Sequence, residues 1–268
     1  MNTHPAAIWS AKPDGLRERL RRTLGEGLSE CRSASPGIFF RADDIGVPGK
    51  GFARLMALFM RFHTPLALAV VPAWLTPERW RAVRATGGEE GGLWCWHQHG
   101  WRHVSHAESG KKQEFDDRLG PGRIARDIHL GKARLQEVMG EDFFPGFTPP
   151  WNRCGAETLA CLREAGFLFV SRSAGALPPS PPDLPDFAVN VDLHTRKEAV
   201  PEEGWENLLS EIRRGVASGA CGVMIHHQRM NDAAYDFLEL LLGTAAFFPE
   251  IARVHLGRLA GAGENAYR

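Results

Sequence analysis

The chain has 268 residues, of which 43% are hydrophobic and 24% are charged. These values are typical of an ordinary globular protein that buries a sizeable core. Lysine plus arginine equals aspartate plus glutamate, at 32 each, so net charge favours neither nucleic acid nor an anionic membrane as a partner.

The N-terminal part of the chain predicts a helical extension. Leu16, Leu20, Leu24 and Leu28 recur every four residues, which indicates an amphipathic helix over residues 14–30. The cluster Ser33-Ala-Ser-Pro-Gly then ends it. We therefore divide the sequence into an N-terminal helical extension, residues 1–35, and one larger domain, residues 36–268.

Short apolar runs alternate with helical patterns through the larger domain. This alternation predicts a parallel sheet in an α/β fold, most economically a single-domain barrel. The proline-rich stretch 175–188 predicts an ordered loop. Strands are expected at 38–41, 66–71, 93–99, 144–147, 167–170, 188–191, 222–226 and 251–256, with helices at 51–63, 76–86, 123–139, 156–165, 205–217 and 232–242.

Histidines are concentrated in one segment, where His97, His99 and His103 fall within seven residues. Imidazole is the commonest metal ligand in proteins. The i, i+4 spacing of His99 and His103 would place them about 6 Å apart on one helical turn. Two neutral imidazoles and one carboxylate are the ligands of an open catalytic zinc or iron site.

Polar residues also follow the ends of several predicted strands. Asp43 and Asp44 end the first strand and His99 ends the third, while a Pro-Pro turn, Asp192 with His194, and His226 with His227 follow later strands. In a parallel α/β barrel the carboxyl ends of the strands meet at one face, where active sites are built. We therefore expect these residues to form one site.

The ordered motifs Asp43-Asp44, His99-Gly-Trp-Arg-His103, Phe147-Thr-Pro-Pro-Trp151 and Ile225-His226 are similar to those of the polysaccharide deacetylase (NodB-homology) superfamily. The resemblance spans about residues 38–228, and the forms of the motifs resemble a less-studied branch. It implies a distorted (β/α)7-type barrel. It also implies hydrolysis of N-acetyl groups on amino sugars with one divalent metal ion, Zn²⁺ being the expected one.

The resemblance assigns roles residue by residue. Asp44, His99 and His103 would hold the metal, and Asp43 would be the general base that activates water. His226 would be the acid that protonates the leaving amine, with His227 as the competing choice. Amide hydrolysis requires this second titrating group, because the nitrogen leaves as an amine.

The sequence departs from the family pattern at Thr148. Family members usually carry there an arginine that orients the base. Arg41, Arg102 or Arg153 would have to take its place in space.

Aromatic residues flank the expected site. Trp94 and Trp96 share one face of a strand and are expected in the core. Trp101 and Trp151 are expected at the cleft, where aromatic rings stack on sugar faces. Asn152 is a candidate for holding a substrate hydroxyl, and His97 is either a partner of the metal ligands or a packed, hydrogen-bonded core residue.

The sequence therefore predicts a metal-dependent hydrolase of a C–N amide bond that deacetylates an N-acetylated amino sugar or glycan. One alternative is an allantoinase-like hydrolase of a non-sugar amide or ureide. The other is a degenerate, non-catalytic glycan-binding barrel, which Thr148 favours.

The compartment and partners follow from simpler features. An odd set of five cysteines without a CxxC pair indicates a reducing compartment. The first residues show no secretory signal and no apolar run reaches the roughly 20 residues that span a bilayer. We expect a cytoplasmic protein with a small-molecule or oligosaccharide substrate and no nucleic-acid or membrane partner. The leucine helix either packs against the barrel or forms a contact between the subunits of a homo-oligomer.

Overall fold

The computed structural model of the chain describes residues 4–88 and 91–261. These residues form two compact units. The first unit contains 4–42, 49–66 and 189–254, and the second contains 43–48, 67–88, 91–188 and 255–261.

Helices and strands alternate along most of the described chain. The strands are β1 (Gly37–Ile45), β2 (Leu66–Val70), β3 (Trp94–His99), β4 (Phe143–Thr148), β5 (Phe169–Val170), β6 (Val191–Asp192), β7 (Ala220–Ile225) and β8 (Ala252–Arg253). The helices are α1 (Leu16–Glu30), α2 (Lys50–Arg61), α3 (Pro77–Thr86), α4 (Pro121–Met139), α5 (Ala156–Glu164), α6 (Pro201–Ala217), α7 (Asp232–Ala245) and α8 (Leu256–Gly261).

In the first unit, parallel pairing organises the strands around β7. β1 pairs with β7 from Gly37 opposite Ala220 to Ala42 opposite Ile225, β6 pairs with the other edge of β7, and β8 pairs with β1. Helix α1 packs against α6, and Leu20 on α1 is fully buried. The spacing of the leucines in the sequence thus correctly predicted the buried face of this helix.

In the second unit, β4 lies between β3 and β5, and both pairings are parallel. Buried aromatic rings fill its core, among them Trp80 and Trp96, whose ring centroids lie 5.1 Å apart in an edge-to-face arrangement. Trp94 is buried as well, which confirms the prediction that Trp94 and Trp96 are core residues. Parallel strands with intervening helices confirm the predicted α/β class.

Three predicted strands are at least two residues shorter in the structure, and the one expected at 167–170 covers only β5. The strand expected at 188–191 begins only at Val191, because the Asn190 side chain occupies the sheet edge, accepting from Gly222 N–H and donating to the Ala220 carbonyl. The strand expected at 251–256 covers only β8, because the carbonyl of His255 accepts from Arg258 N–H and α8 begins at Leu256.

The connection between His99 and His103 is a loop and not the helical turn that their spacing suggested. β3 ends at His99. Gly100 and His103 then adopt left-handed backbone conformations, with φ of 60° and 59°, which an α-helix excludes.

The N-terminal helix predicted over 14–30 is observed as α1. The domain boundary between residues 35 and 36 stays a prediction. Among the described residues, no helix combines the length and apolar character that crossing a bilayer requires.

Candidate metal centre

The second unit brings the three predicted metal ligands together. Asp44 Oδ1 lies 3.3 Å from His99 Nε2 and 3.0 Å from His103 Nε2, and one ligand atom from each residue lies within 4.8 Å of the others. Four ligands at about 2.0 to 2.1 Å around a tetrahedral zinc ion are about 3.3 Å apart. The donor types and their spacing therefore fit a divalent metal.

Asp44 reaches this cluster because the backbone turns at the end of β1. Its φ is 61°, a left-handed conformation that aspartate adopts more readily than most residues. Asp43 and Asp44 consequently do not follow the simple alternation of a strand, and both are buried. The sequence pair Asp43-Asp44 is thus a strand end, as predicted, and not an exposed turn.

His99 is held in the tautomer that a ligand needs. Its Nδ1 lies 2.9 Å from the carbonyl oxygen of Thr148, and a carbonyl only accepts, so Nδ1 carries the proton. In the neutral imidazole Nε2 then keeps a lone pair that a metal could take, whereas in the protonated imidazolium Nε2 donates to Asp44 Oδ1. Hydrogen bonds of this kind orient metal-binding imidazoles and raise their basicity.

The electrostatics around His99 favour a positive charge. Burial alone lowers the pKa of His99, but the hydrogen bond to Asp44 and the negative charges of Asp43 and Asp44 outweigh it and raise the pKa above its usual value. The negative charges of Asp43 and Asp44 would attract a divalent cation for the same reason. The metal would compete with the His99 proton, so the site should bind it more weakly in acid.

The loop that carries His103 is fixed by a buried carboxylate that the sequence analysis did not identify. Glu114 is 3% exposed; its Oε1 accepts from Arg102 N–H at 2.7 Å and its Oε2 from Trp101 N–H at 3.2 Å. On the other side, the carbonyl of Trp101 accepts from Ala73 N–H at 3.1 Å. Glu114 therefore sets the backbone that places His103.

Tryptophans surround the His103 ring. The centroid of Trp151 lies 4.4 Å from that of His103, and the centroid of Trp74 lies 5.7 Å away. Trp151 and Asn152 are half-buried and left-handed, with φ of 56° and 58°, and Trp101 is half-buried two residues before His103. The predicted substrate residues Trp101, Trp151 and Asn152 thus lie on or beside the segments that meet His103, and Trp74 joins them.

His97 is a packed core residue. Its Nε2 lies 2.8 Å from Thr148 Oγ1 and its Nδ1 lies 3.2 Å from the Cys95 carbonyl. It is fully buried, and the metal-ligand group of the described residues contains Asp44, His99 and His103 without it. Of the two roles left open for His97, the structure supports the hydrogen-bonded core residue.

Thr148 therefore contacts both histidines of β3, its hydroxyl with His97 and its carbonyl with His99. We expect Thr148→Val to lower the free energy of unfolding by about 1–3 kcal/mol, because one buried hydrogen bond is lost. Zinc affinity should change little, since valine keeps the carbonyl. Urea unfolding and a chelator-competition titration check the two effects, and a large loss of zinc affinity would contradict this division of roles.

His226 and His227 belong to the first unit, directly after β7. His226 is half-buried and its N–H donates to His194 Nδ1 at 3.1 Å. His227 is buried, with its ring centroid 5.7 Å from that of Phe52. His194 is fully buried beside Trp9, and burial, followed by the charges of His226 and His227, holds its pKa well below the usual value.

Asp192 is a loop cap in the structure. Its carboxylate accepts from the N–H groups of His194 and Thr195 at 3.0 and 2.9 Å. The Thr195 hydroxyl donates to the same carboxylate. Asp192 thus orders the turn in which His194 lies.

The three arginines considered as replacements for the missing one have different surroundings. Arg41 is fully buried in the first unit, and its guanidinium lies 3.3 Å from Met224 Sδ. Arg102 is exposed and its guanidinium lies 5.7 Å from the Trp101 ring centroid. Arg153 is half-buried and donates to the Lys112 carbonyl at 3.0 Å.

Neither a family model nor a curated protein sequence matches the chain. Its structure is similar to a protein of Mycobacterium smegmatis assigned as a polysaccharide deacetylase, with a TM-score of 0.63 at 16% identity, covering 86% of this chain and 91% of that one. A family 4 acetyl xylan esterase from Clostridium thermocellum in complex with a cobalt ion gives 0.51 at 13% identity, covering 83% and 89%.

A third similar structure is a mutant, with restored enzymatic activity, of a family 4 carbohydrate esterase pseudoenzyme from Bacillus anthracis. It has a TM-score of 0.52 at 9% identity, covering 85% of this chain and 68% of that one. At such identities the likeness shows the fold, which is that of the polysaccharide deacetylase type of distorted α/β barrel, as the motifs predicted.

Proposed function

We propose that the protein is a metal-dependent hydrolase of a C–N amide bond that removes the acetyl group from an N-acetylated amino sugar or glycan. The convergence of Asp44, His99 and His103 carries this proposal. The fold supports it, because a solved structure with the same fold is in complex with a cobalt ion.

Zn²⁺ is the ion we propose, held by Asp44 Oδ1, His99 Nε2 and His103 Nε2. When bound, such an ion polarises the scissile carbonyl as a Lewis acid and lowers the pKa of water. Three protein ligands leave one position of a tetrahedral ion open, as a catalytic site requires.

Asp43 takes the proton from the attacking water in this scheme. Its carboxylate is buried directly before a metal ligand, so it is positioned by the same strand end. The tetrahedral intermediate then collapses when the amide nitrogen receives a proton from His226 or His227. His194 is held neutral by burial and accepts the His226 N–H, which fixes the backbone of the proposed acid.

The substrate would lie against Trp151 and Trp101. Their indole faces suit the apolar faces of a sugar ring, and Asn152 offers an amide to a hydroxyl. A sugar held in this way would direct its acetyl group toward His99 and His103.

Asp43→Asn tests the role of the base. We expect kcat for acetate release to fall by about 10² to 10⁴-fold, the usual contribution of a general base, while zinc binding persists because Asp44, His99 and His103 remain. Acetate release from N-acetylglucosamine oligomers and an O-acetylated sugar, and hydrolysis of small ureides followed by loss of the ureide, would be measured for the wild type and the variant. Full activity of Asp43→Asn would remove the base assignment.

The same set of test compounds also distinguishes the deacetylase from the two alternative functions. Turnover of ureides alone would favour the allantoinase-like alternative. Saccharide binding without turnover of any compound, in protein loaded with zinc or cobalt, would favour the non-catalytic barrel. Two observations favour the non-catalytic barrel. Thr148 stands where the family pattern has an arginine, and a pseudoenzyme shares the fold.

A further inference from the structure

Each tryptophan near His103 has a cationic side chain associated with it. Arg79 donates to the Trp74 carbonyl at 2.6 Å. The Arg102 guanidinium lies 5.7 Å from the Trp101 ring, and the Lys112 ammonium lies 6.0 Å from the Trp151 ring. These cations, together with Arg153 on the Lys112 carbonyl, are named here the cationic rim.

None of the four rim cations forms an ion pair with a carboxylate in the described part of the chain. Other arginines of the same unit do form such pairs: Arg118 with Asp116 and Glu108, Arg81 with Glu78, and Arg126 with Asp127. Three of the four rim cations therefore accompany the tryptophans near His103 without a carboxylate partner among the described residues.

Glu114 and Asp116, the first two carboxylates after Lys112 in the chain, are already engaged. Glu114 is buried and accepts two backbone N–H groups, and Asp116 is bound by Arg118, which holds the pKa of its carboxyl at about 2. The chain as a whole carries equal numbers of positive and negative residues. A local excess of cations beside the site is thus a property of this surface and not of the composition.

We propose that the substrate of this site carries an anionic group, a phosphate or a carboxylate, on the molecule that bears the acetamide. The inference rests on the proposed deacetylase function, but it concerns recognition and not chemistry. Guanidinium and ammonium groups bind phosphate and carboxylate oxygens through charge-assisted hydrogen bonds. An anionic group bound at the rim would bring the acetamide of the same molecule beside His103.

The test compares substrates that differ in charge. We would measure the binding of N-acetylglucosamine 6-phosphate, N-acetylmuramic acid and N-acetylglucosamine by calorimetry, with zinc-loaded and with metal-free protein. Inorganic phosphate serves as the control for direct coordination to the ion. At low salt we expect the two anionic sugars to bind at least about fivefold more tightly than the neutral sugar, with and without metal, and this preference to shrink at high salt.

Reversing the charge of two rim residues tests whether the rim causes the preference for anionic sugars. Arg102→Glu with Lys112→Glu should weaken binding of both anionic sugars by about 10-fold and leave the neutral sugar nearly unchanged, because attraction becomes repulsion. Arg17→Glu, an exposed position on α1 in the other unit, is the matched control and should change neither. Thermal unfolding of each variant verifies that it folds.

Equal affinity for anionic and neutral sugars would overturn the inference, as would a preference that the double variant keeps or that only metal-loaded protein shows. These outcomes are distinct from failure of the proposed function. An anionic preference without acetate release would support the rim and contradict the deacetylase proposal. Acetate release without an anionic preference would support the deacetylase proposal and contradict the role of the rim.

Discussion

His99→Ala is expected to abolish stoichiometric zinc binding and reduce acetate release to background. The substitution removes one of three ligand atoms and also the imidazole that the Thr148 carbonyl orients. Substituting a residue that merely orients a ligand typically costs 10- to 100-fold in metal affinity, and loss of the ligand should cost more. Zinc competition with a chromophoric chelator measures the loss, and denaturant unfolding shows whether the metal-free variant still unfolds cooperatively.

A histidine outside the site provides the matched control. His129 is exposed on α4, where its Nδ1 bonds to the Ala125 carbonyl, so His129→Ala should bind zinc as the wild type does. His103→Ala should behave like His99→Ala. Undiminished zinc binding or activity in either ligand variant would contradict the assignment.

Gly100→Ala should be nearly as damaging, although Gly100 is not one of the three candidate ligands. Its φ is +60°, and a Cβ there would lie 2.6 Å from Pro150 Cγ and in overlap with the Glu114 carboxylate. The methyl group would displace the carboxylate that holds the N–H groups of Trp101 and Arg102. We expect zinc affinity to fall by about 10- to 100-fold and the free energy of unfolding to fall by more than about 2 kcal/mol.

Gly110→Ala separates the steric effect from backbone strain. Gly110 is also left-handed, with φ of +80°, but an added Cβ there meets nothing within 4 Å. This variant should lose about 1 kcal/mol of stability and keep its zinc affinity. Glu114→Gln is a second check: because it keeps one acceptor oxygen, its loss of affinity should be smaller than that of Gly100→Ala. Equal zinc affinities of Gly100→Ala and Gly110→Ala would show that Glu114 does not position His103.

The three residues of the candidate metal centre were predictable because their signals are local. Asp44 lies at a strand end, and His99 and His103 stand in a motif with fixed spacing, so the resemblance could place all three without knowing the backbone. The alternation of strands and helices likewise predicted the α/β class, since each element's hydrophobic period reflects its own burial.

The residues that support the site were not predictable, because their roles depend on contacts between residues distant in the sequence. Glu114 stands in a polar stretch, Lys111-Lys-Gln-Glu114, where nothing distinguishes a buried carboxylate from an exposed one. Its role depends on contacts with backbone N–H groups 12 and 13 residues away. Trp74 could have been predicted as a site residue, because it follows the end of β2 and the other candidates were identified by the same position.

Backbone conformation explains the remaining error. The spacing of His99 and His103 was compatible with a helical turn, and their proximity is real, with ring centroids 5.2 Å apart. The loop achieves it through left-handed residues at Gly100 and His103. Only the glycine is visible as a cue in the sequence, since a histidine with positive φ is uncommon.

The most direct test of the metal centre is the zinc content of the purified wild-type protein, measured by inductively coupled plasma mass spectrometry after zinc loading and dialysis. The geometry of Asp44, His99 and His103 predicts about one equivalent per chain. Less than a tenth of an equivalent after loading would contradict the metal centre and the hydrolytic function proposed for it.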